Sequence, residues 1–206
     1  LAKQLLKGPV LVAFSDTLIE TDLSFLENEN ADGVAWVKPM DDPRRFGVVE
    51  VDKNNLATRL TEKPQDITNN LVVVGFYYFK DGARLVDAIE EQIKRGASLK
   101  GEFFLADAIN IMLERGAKIK VQQTKVWLDA GIPESLLETN RFMLDHGRCS
   151  CEVVEPSEGV SIIPPVSIPS NVTLKSAVIG PHVTLGEGCD LENVVIRNSI
   201  IEAGTR

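Results

Sequence analysis

The chain has 206 residues, 44% of them hydrophobic and 25% charged, with a formal net charge of −8. That is enough apolar material for a packed core, and the acidic balance excludes a general binder of nucleic-acid backbones. It leaves open a nucleotide substrate, which needs only a few local cations or backbone N–H groups.

No apolar run reaches the ~18 residues of a membrane span, and no signal peptide is visible, so the cytoplasm is the default location and no membrane partner is expected. Three cysteines, Cys149, Cys151 and Cys189, are too few and too late in the chain for a disulfide framework. Cys149-x-Cys151 could hold half a metal site, but no second pair accompanies it.

The chain opens in "LAKQLLKG", which reads as the end of a helix. "PVLVAFSD", Pro9 to Asp16, is a short continuous apolar run, as expected of a strand buried on both faces of a parallel sheet. "DGVAWVKP" is a second such run. "FGVVEVDKNNLATRLTEKP" predicts a hairpin turning at Asp52–Asn55. "NLVVVGFYYFK" predicts a strand with Gly75 in its middle, a position that often marks close approach of a ligand or another backbone. "GARLVDAIEEQIKRG" and "GEFFLADAINIMLERG" space their aliphatics as helices do, and each ends on glycine. "AKIKVQQTKVW" alternates as a strand, and "IPESLLETNRFMLDHG" predicts a helix with Pro133 in its first turn. Strands interleaved with helices place residues 1–146 in an α/β domain.

Residues 147–158 read as a linker. From 159 onward, Ile168, Leu174, Ile179, Leu185, Leu191, Ile196 and Ile201 recur at steps of five or six, with small or polar residues between them. That is a hexapeptide repeat, the signature of a parallel β-helix over 159–206. A helix would not step by six. Such a stack stabilises itself coil on coil, so an open last coil needs further chain or a partner.

Four motifs stand in order: "FSD" after an apolar strand, "FGVVEVD…LTEKP", "VVVGFYYF" and "VWLDAGIPESLLETNRF", followed by the repeat. Together they resemble the sugar-1-phosphate nucleotidyltransferases, also called sugar-nucleotide pyrophosphorylases, and most of all glucose-1-phosphate thymidylyltransferase-like proteins. The resemblance implies a Rossmann-like α/β nucleotidyltransferase domain followed by a left-handed parallel β-helix. It implies a Mg²⁺-dependent reaction of a nucleoside triphosphate, dTTP first, with a sugar 1-phosphate, glucose 1-phosphate first. The products are a nucleotide sugar and pyrophosphate, and a homo-oligomer is expected. The family also opens with a glycine-rich triphosphate loop that these residues do not contain. The chain therefore reads as an N-terminally truncated piece, expected to be nearly inactive alone.

By the same resemblance Asp16 and Asp129 are the Mg²⁺ ligands and catalytic carboxylates. The match at Asp16 is on the acid alone, since Ser15 stands where the family usually has glycine. Two carboxylates ~4 Å apart without a cation would repel by ~4 kcal/mol at an effective dielectric of 20, so such a pair makes sense around a metal. Taken singly, Asp16 could cap a turn and Asp129 could serve loop packing. Lys63 resembles the lysine that grips the sugar phosphate, with Pro64 expected to keep it extended. Glu62 resembles the acceptor of sugar hydroxyls. As a bare Glu-Lys pair the two could equally be a solvated hairpin corner. Gly47 and Gly75 resemble glycines lining the sugar pocket, and either could simply be a bulge or turn glycine. Trp127 fits a pocket wall or a core. Glu102, at a predicted helix start, fits a cap or the pocket equally.

Two other readings are weighed. A non-catalytic scaffold subunit of the same family would keep the fold without the chemistry; the set of Asp16, Asp129 and Lys63 favours the enzyme. A hexapeptide-repeat acyltransferase could use His182 as general base, but a lone histidine in a repeat corner is more often a surface residue, and the repeat is short for an acyl-donor groove.

Overall fold

The computed structural model describes residues 2–96, 98, 101–149 and 158–206. Most of the expected linker, and Cys151 of the Cys149-x-Cys151 pair, lie outside the described residues. By contacts the chain divides into two compact units, Leu1–Trp127 and Leu128–Arg206.

The first unit is built on a mixed six-stranded sheet. Its strands are β1 (Val10–Ala13), β3 (Gly33–Pro39), β4 (Gly47–Val51), β5 (Ala57–Glu62), β6 (Leu71–Phe79) and β7 (Ile119–Gln123), and β2 (Thr17–Glu20) follows β1 outside it. The order is β5-β4-β6-β3-β7, with β1 alongside the C-terminal half of β6. Only β3 and β7 run parallel; β1–β6, β3–β6 and β4–β5 are antiparallel. Connectivity explains this. The parallel return to β7 passes through α1 (Gly82–Arg95) and α2 (Leu105–Glu114), whereas β4 and β5 close a short hairpin.

β3 shows how the sheet partitions its residues. Ala35 and Val37 face the core beneath α1 and α2, with Leu85, Ala88, Ile109 and Met112, while Val34 and Trp36 join a second core with Val72, Val74 and Trp127. The period of two thus fills both faces, which is why "GVAWVKP" is apolar throughout. The expectation for "PVLVAFSD" is corrected. β1 pairs antiparallel with β6, and Leu11 and Phe14 are 49% and 46% exposed. With β6 as its ladder partner, β1 half-buries alternate residues, Val10 and Val12, and its continuous apolar run does not mean burial on both faces.

Local chemistry sets the ends. Asp81 accepts from the Ala83 N–H at 3.0 Å to cap α1, and Gly96 closes it with φ +65°. In the hairpin turn, Asp52 Oδ1 accepts from the Asn54 and Leu56 N–H groups at 2.8 and 2.9 Å. α2 begins at Leu105, so Glu102 precedes the helix and is exposed.

In the second unit α3 (Pro133–Asp145) precedes six short strands: β9 (Val160–Ile162), β10 (Val166–Ser167), β11 (Thr173–Ile179), β12 (Val183–Leu185), β13 (Asp190–Ile196) and β14 (Ser199–Ile201). They form two three-stranded parallel sheets, β9-β11-β13 and β10-β12-β14. The stack is in register: Val160, Ala177 and Val194 align, as do Val183 and Ser199. Ile168, Ile179, Leu185 and Leu191 are buried in one cluster, and Leu174, Ile196 and Ile201 pack against it. The step of five or six puts one aliphatic of each segment inward. β8 (Val126–Asp129) spans the boundary between the two units.

Candidate active site

Gly47 and Glu62 are cross-strand partners where β4 begins and β5 ends. A Cβ at Gly47 would sit 3.0 Å from Glu62 Oε2 and 3.0 Å from Val73 Cγ2. The glycine thus leaves room for the glutamate itself. Burial pushes the Glu62 carboxyl above its ordinary range; the Lys63 ammonium opposes this, the Asp107 carboxylate adds to it, and the net shift is upward. Asp107, in the first turn of α2, is also raised by burial. The buried Tyr77 phenol is pushed up, first by burial and then by Glu62. Glu62, Asp107 and Tyr77 therefore meet in one half-buried corner.

Lys63 stands beside this corner with Nζ 4.8 Å from the centre of the Phe104 ring. The extended backbone expected from Pro64 is corrected: Lys63 has φ +46°. Pro64 disfavours the right-handed helical region, and the chain turns the other way while the Lys63 N–H still reaches Phe46 O at 3.0 Å.

Trp127 packs edge-on against Phe46, ring centres 5.2 Å apart. It is 7% exposed, and its indole Nε1 has no hydrogen-bond partner among the described residues. A buried N–H left unpaired calls for an explanation, and an absent ligand acceptor is one. Gly75 has φ +70°, and a Cβ there would lie 2.7 Å from the Phe14 ring. Its need for glycine comes from that ring and from the left-handed backbone.

Asp16 is exposed in the tight turn after β1, where the Thr17 N–H donates to Phe14 O at 3.2 Å. Asp129 closes β8 at the head of the second unit. Its Oδ1 accepts from the Gly131 N–H at 3.1 Å and its Oδ2 from the Ser135 hydroxyl at 3.0 Å, while its carbonyl accepts from the Thr139 hydroxyl at 3.1 Å. Asp16 belongs to the first unit and Asp129 to the second. Among the described residues no three His, Cys, Asp or Glu side chains cluster as a protein-only metal site. Mg²⁺ does not require one, because it takes one or two carboxylates and completes its shell with phosphates and water. Each of the two, Asp16 and Asp129, is a carboxylate, the hard oxygen donor that Mg²⁺ takes.

Asp107, Phe104, Phe46, Ser135 and Thr139 were not singled out by motif. Ser135 and Thr139 did carry a signal, the i, i+4 spacing of two hydroxyls on one helix face after the acid. Asp107 and Phe104 carried none, because only the docking of α2 on β5 brings them to Glu62 and Lys63.

A nucleotidyl transferase family model matches residues 3–146. Among relatives, the bifunctional protein GlmU of Methanococcus vannielii is 31% identical over 86% of this chain and 41% of its own. The low-salt glycan biosynthesis nucleotidyltransferase Agl11 of Haloferax volcanii is 31% identical over 86% of this chain and 54% of its own. The glucose-1-phosphate thymidylyltransferase of Streptomyces griseus is 26% identical over 79% of this chain and 49% of its own. The chain thus spans about half or less of these relatives' length. Among solved structures, a nucleoside-diphosphate-sugar pyrophosphorylase of Vibrio cholerae superposes with a TM-score of 0.53 at 19% identity, over 66% of this chain and 58% of that one. The fold is shared at that level. With the family model covering 3–146, the order of motifs and the α/β sheet lead to one assignment: the chain belongs to the nucleotidyl transferase family.

Proposed function

We propose that the chain carries the sugar-phosphate side of a nucleotidyl transfer site. In the reaction a sugar 1-phosphate oxygen forms a bond to the α-phosphorus of a nucleoside triphosphate, the bond from that phosphorus to the bridging oxygen breaks, and pyrophosphate leaves. The supporting observation is the corner of Gly47, Glu62 and Lys63, which sets a hydroxyl-accepting carboxylate beside a phosphate-seeking ammonium. The attacking phosphate is already anionic, so the protein's task is positioning and charge neutralisation rather than proton abstraction.

In this reading Glu62 accepts from sugar hydroxyls, Lys63 holds the phosphate, and Trp127 offers its unpaired Nε1–H and, with Phe46, an apolar wall. Gly47 leaves room for the Glu62 carboxylate, and Gly75 for the Phe14 ring at the edge of this reading's pocket. Asp16 and Asp129 would hold Mg²⁺, which when bound offsets the charge of the phosphates. The Streptomyces relatives, named as glucose-1-phosphate thymidylyltransferases, support dTTP and glucose 1-phosphate as the first pair. The in-register parallel strands β9–β14 support a parallel β-helix; its left hand, and a second copy of the chain as its partner, rest on the family likeness.

These residues contain no glycine-rich triphosphate loop, so sugar-phosphate binding is the sharper readout, and pyrophosphate release from the chain alone is expected near background. Calorimetric titration of glucose 1-phosphate with Mg²⁺ into the wild-type chain, Glu62→Gln and Lys63→Met provides the test. Binding by the wild type that each variant weakens supports the assignment. Equal binding by all three proteins sinks it.

A further inference from the structure

Helix α3 touches two things at once within the second unit. Through Ser135 and Thr139 it holds the carboxylate and the carbonyl of Asp129. Thr139 is 9% exposed, so its hydroxyl is committed to that carbonyl away from competing water. Further along, the same helix is tied to the parallel strands by side-chain pairs. The Thr184 hydroxyl on β12 donates to Asn140 Oδ1 at 2.6 Å, the Arg141 guanidinium donates to Asn198 Oδ1 at 2.7 Å, and His182 Nε2 lies 2.8 Å from Asp145 Oδ1. His182 and Asn198 themselves sit at positive φ, +58° and +46°, in the corners between strands. Those corners present their side chains to the helix rather than to their own sheets.

We propose that the parallel strand stack acts, through α3, as the platform that fixes Asp129, making Ser135 and Thr139 positioning residues and Asn140–Thr184 and Asp145–His182 the anchor. This rests on the reading of Asp129 as a Mg²⁺ ligand. The physical logic is one of lever and clamp. An i, i+4 pair of hydroxyls aims a short loop only if the helix carrying them cannot slide or roll, and α3 itself starts without a side-chain cap at Ile132. Its remaining restraints come from packing and from the three polar ties along its C-terminal half. Asp129 ends a four-residue strand, and Ala130, Gly131 and Ile132 lead from it into α3. Removal of the anchor is therefore expected to loosen the carboxylate that Ser135 holds.

The test uses the whole chain and two readouts. One is hydrogen exchange at the Gly131 amide, whose bond to Asp129 Oδ1 reports the carboxylate's position directly. The other is Mn²⁺ affinity, measured by water-proton relaxation with Mn²⁺ alone. Thr184→Val and Thr139→Val keep shape and remove one hydroxyl bond each; Thr184→Ser and Thr139→Ser restore it. The proposal expects Gly131 exchange to rise about fivefold to tenfold in both valine variants, roughly the factor of one lost hydrogen bond, and to return in both serine variants. Mn²⁺ affinity should fall in parallel. Faster exchange at the C-terminal end of α3 in Thr184→Val with Gly131 unchanged would overturn the proposal, as would serine variants that fail to rescue. Asp129→Asn separates the two layers. If it leaves Mn²⁺ affinity unchanged, the metal reading falls, and the exchange arm still decides whether the strands position this loop.

Discussion

Trp127 and Glu62 pose opposite problems for the folded chain. The indole N–H is a buried donor with no partner among the described residues, so replacing it should cost the fold little and the ligand much. Trp127→Phe is expected to melt within a degree or two of wild type, and to bind glucose 1-phosphate roughly tenfold more weakly, the scale of one lost hydrogen bond. A variant that binds normally would return Trp127 to the core. Glu62 is an acid whose proton the fold retains after the unfolded chain has released it. The part of stability tied to it is complete below its ordinary 4.5 and is lost as pH rises through the raised folded value. Glu62→Gln removes that dependence. Thermal melts from pH 4 to pH 8 should show the wild type losing ground to Glu62→Gln as pH rises, and a constant offset would refute the shift. Gly75 belongs at this scale too. Gly75→Ala forces a methyl toward the Phe14 ring at φ +70° and should cost at least ~1–2 kcal/mol from the backbone alone; Phe14→Ala in the same chain should recover the steric part only. Urea titration of the single and double variants measures both components.

At the scale of elements, the corner of Glu62 and Lys63 depends on α2. Asn110 of α2 bonds the backbone of β5 twice, accepting from the Leu60 N–H and donating to Leu60 O, each at 2.8 Å. β5 is the outer strand of the sheet order, and this side-chain amide stands in for a neighbouring strand. Asn110→Ala leaves both Leu60 groups unpaired two residues from Glu62. It is expected to cost ~1–3 kcal/mol and to weaken sugar-phosphate binding, which denaturant titration and calorimetry would show. Asn110 also marks where the sequence stops being legible. The hairpin, both helices and the inward aliphatics of the repeat could be read because each depends on near neighbours in the chain. The tie from Asn110 to Leu60, 50 residues apart, could not. Nor could the antiparallel seat of β1, since an apolar run looks alike whether one face or two are covered. The start of α3 was legible because Pro133 marks a first turn; the left-handed backbone at Lys63 was not, because the general rule for a residue before proline points elsewhere.

For the molecule as a whole, the hydrophobic cores decide how it unfolds. Among the described residues two clusters sandwich the sheet of the first unit and a third lies inside the parallel strands of the second, each made of residues from one unit. Each unit therefore has its own reason to stay folded, and a single cooperative transition is not required. Calorimetry is expected to give a calorimetric enthalpy larger than the van't Hoff value, resolving into two components. Leu185 is 2% exposed in the core of the second unit. Leu185→Ala should cost that unit ~2–5 kcal/mol, and for a unit of this size each kcal/mol moves the midpoint by ~4–8 °C. The variant should thus lower one component by roughly 10 °C or more and leave the other near its wild-type temperature. If both components move together by the same amount, the two units fold as one, and the boundary drawn from contacts has no thermodynamic counterpart.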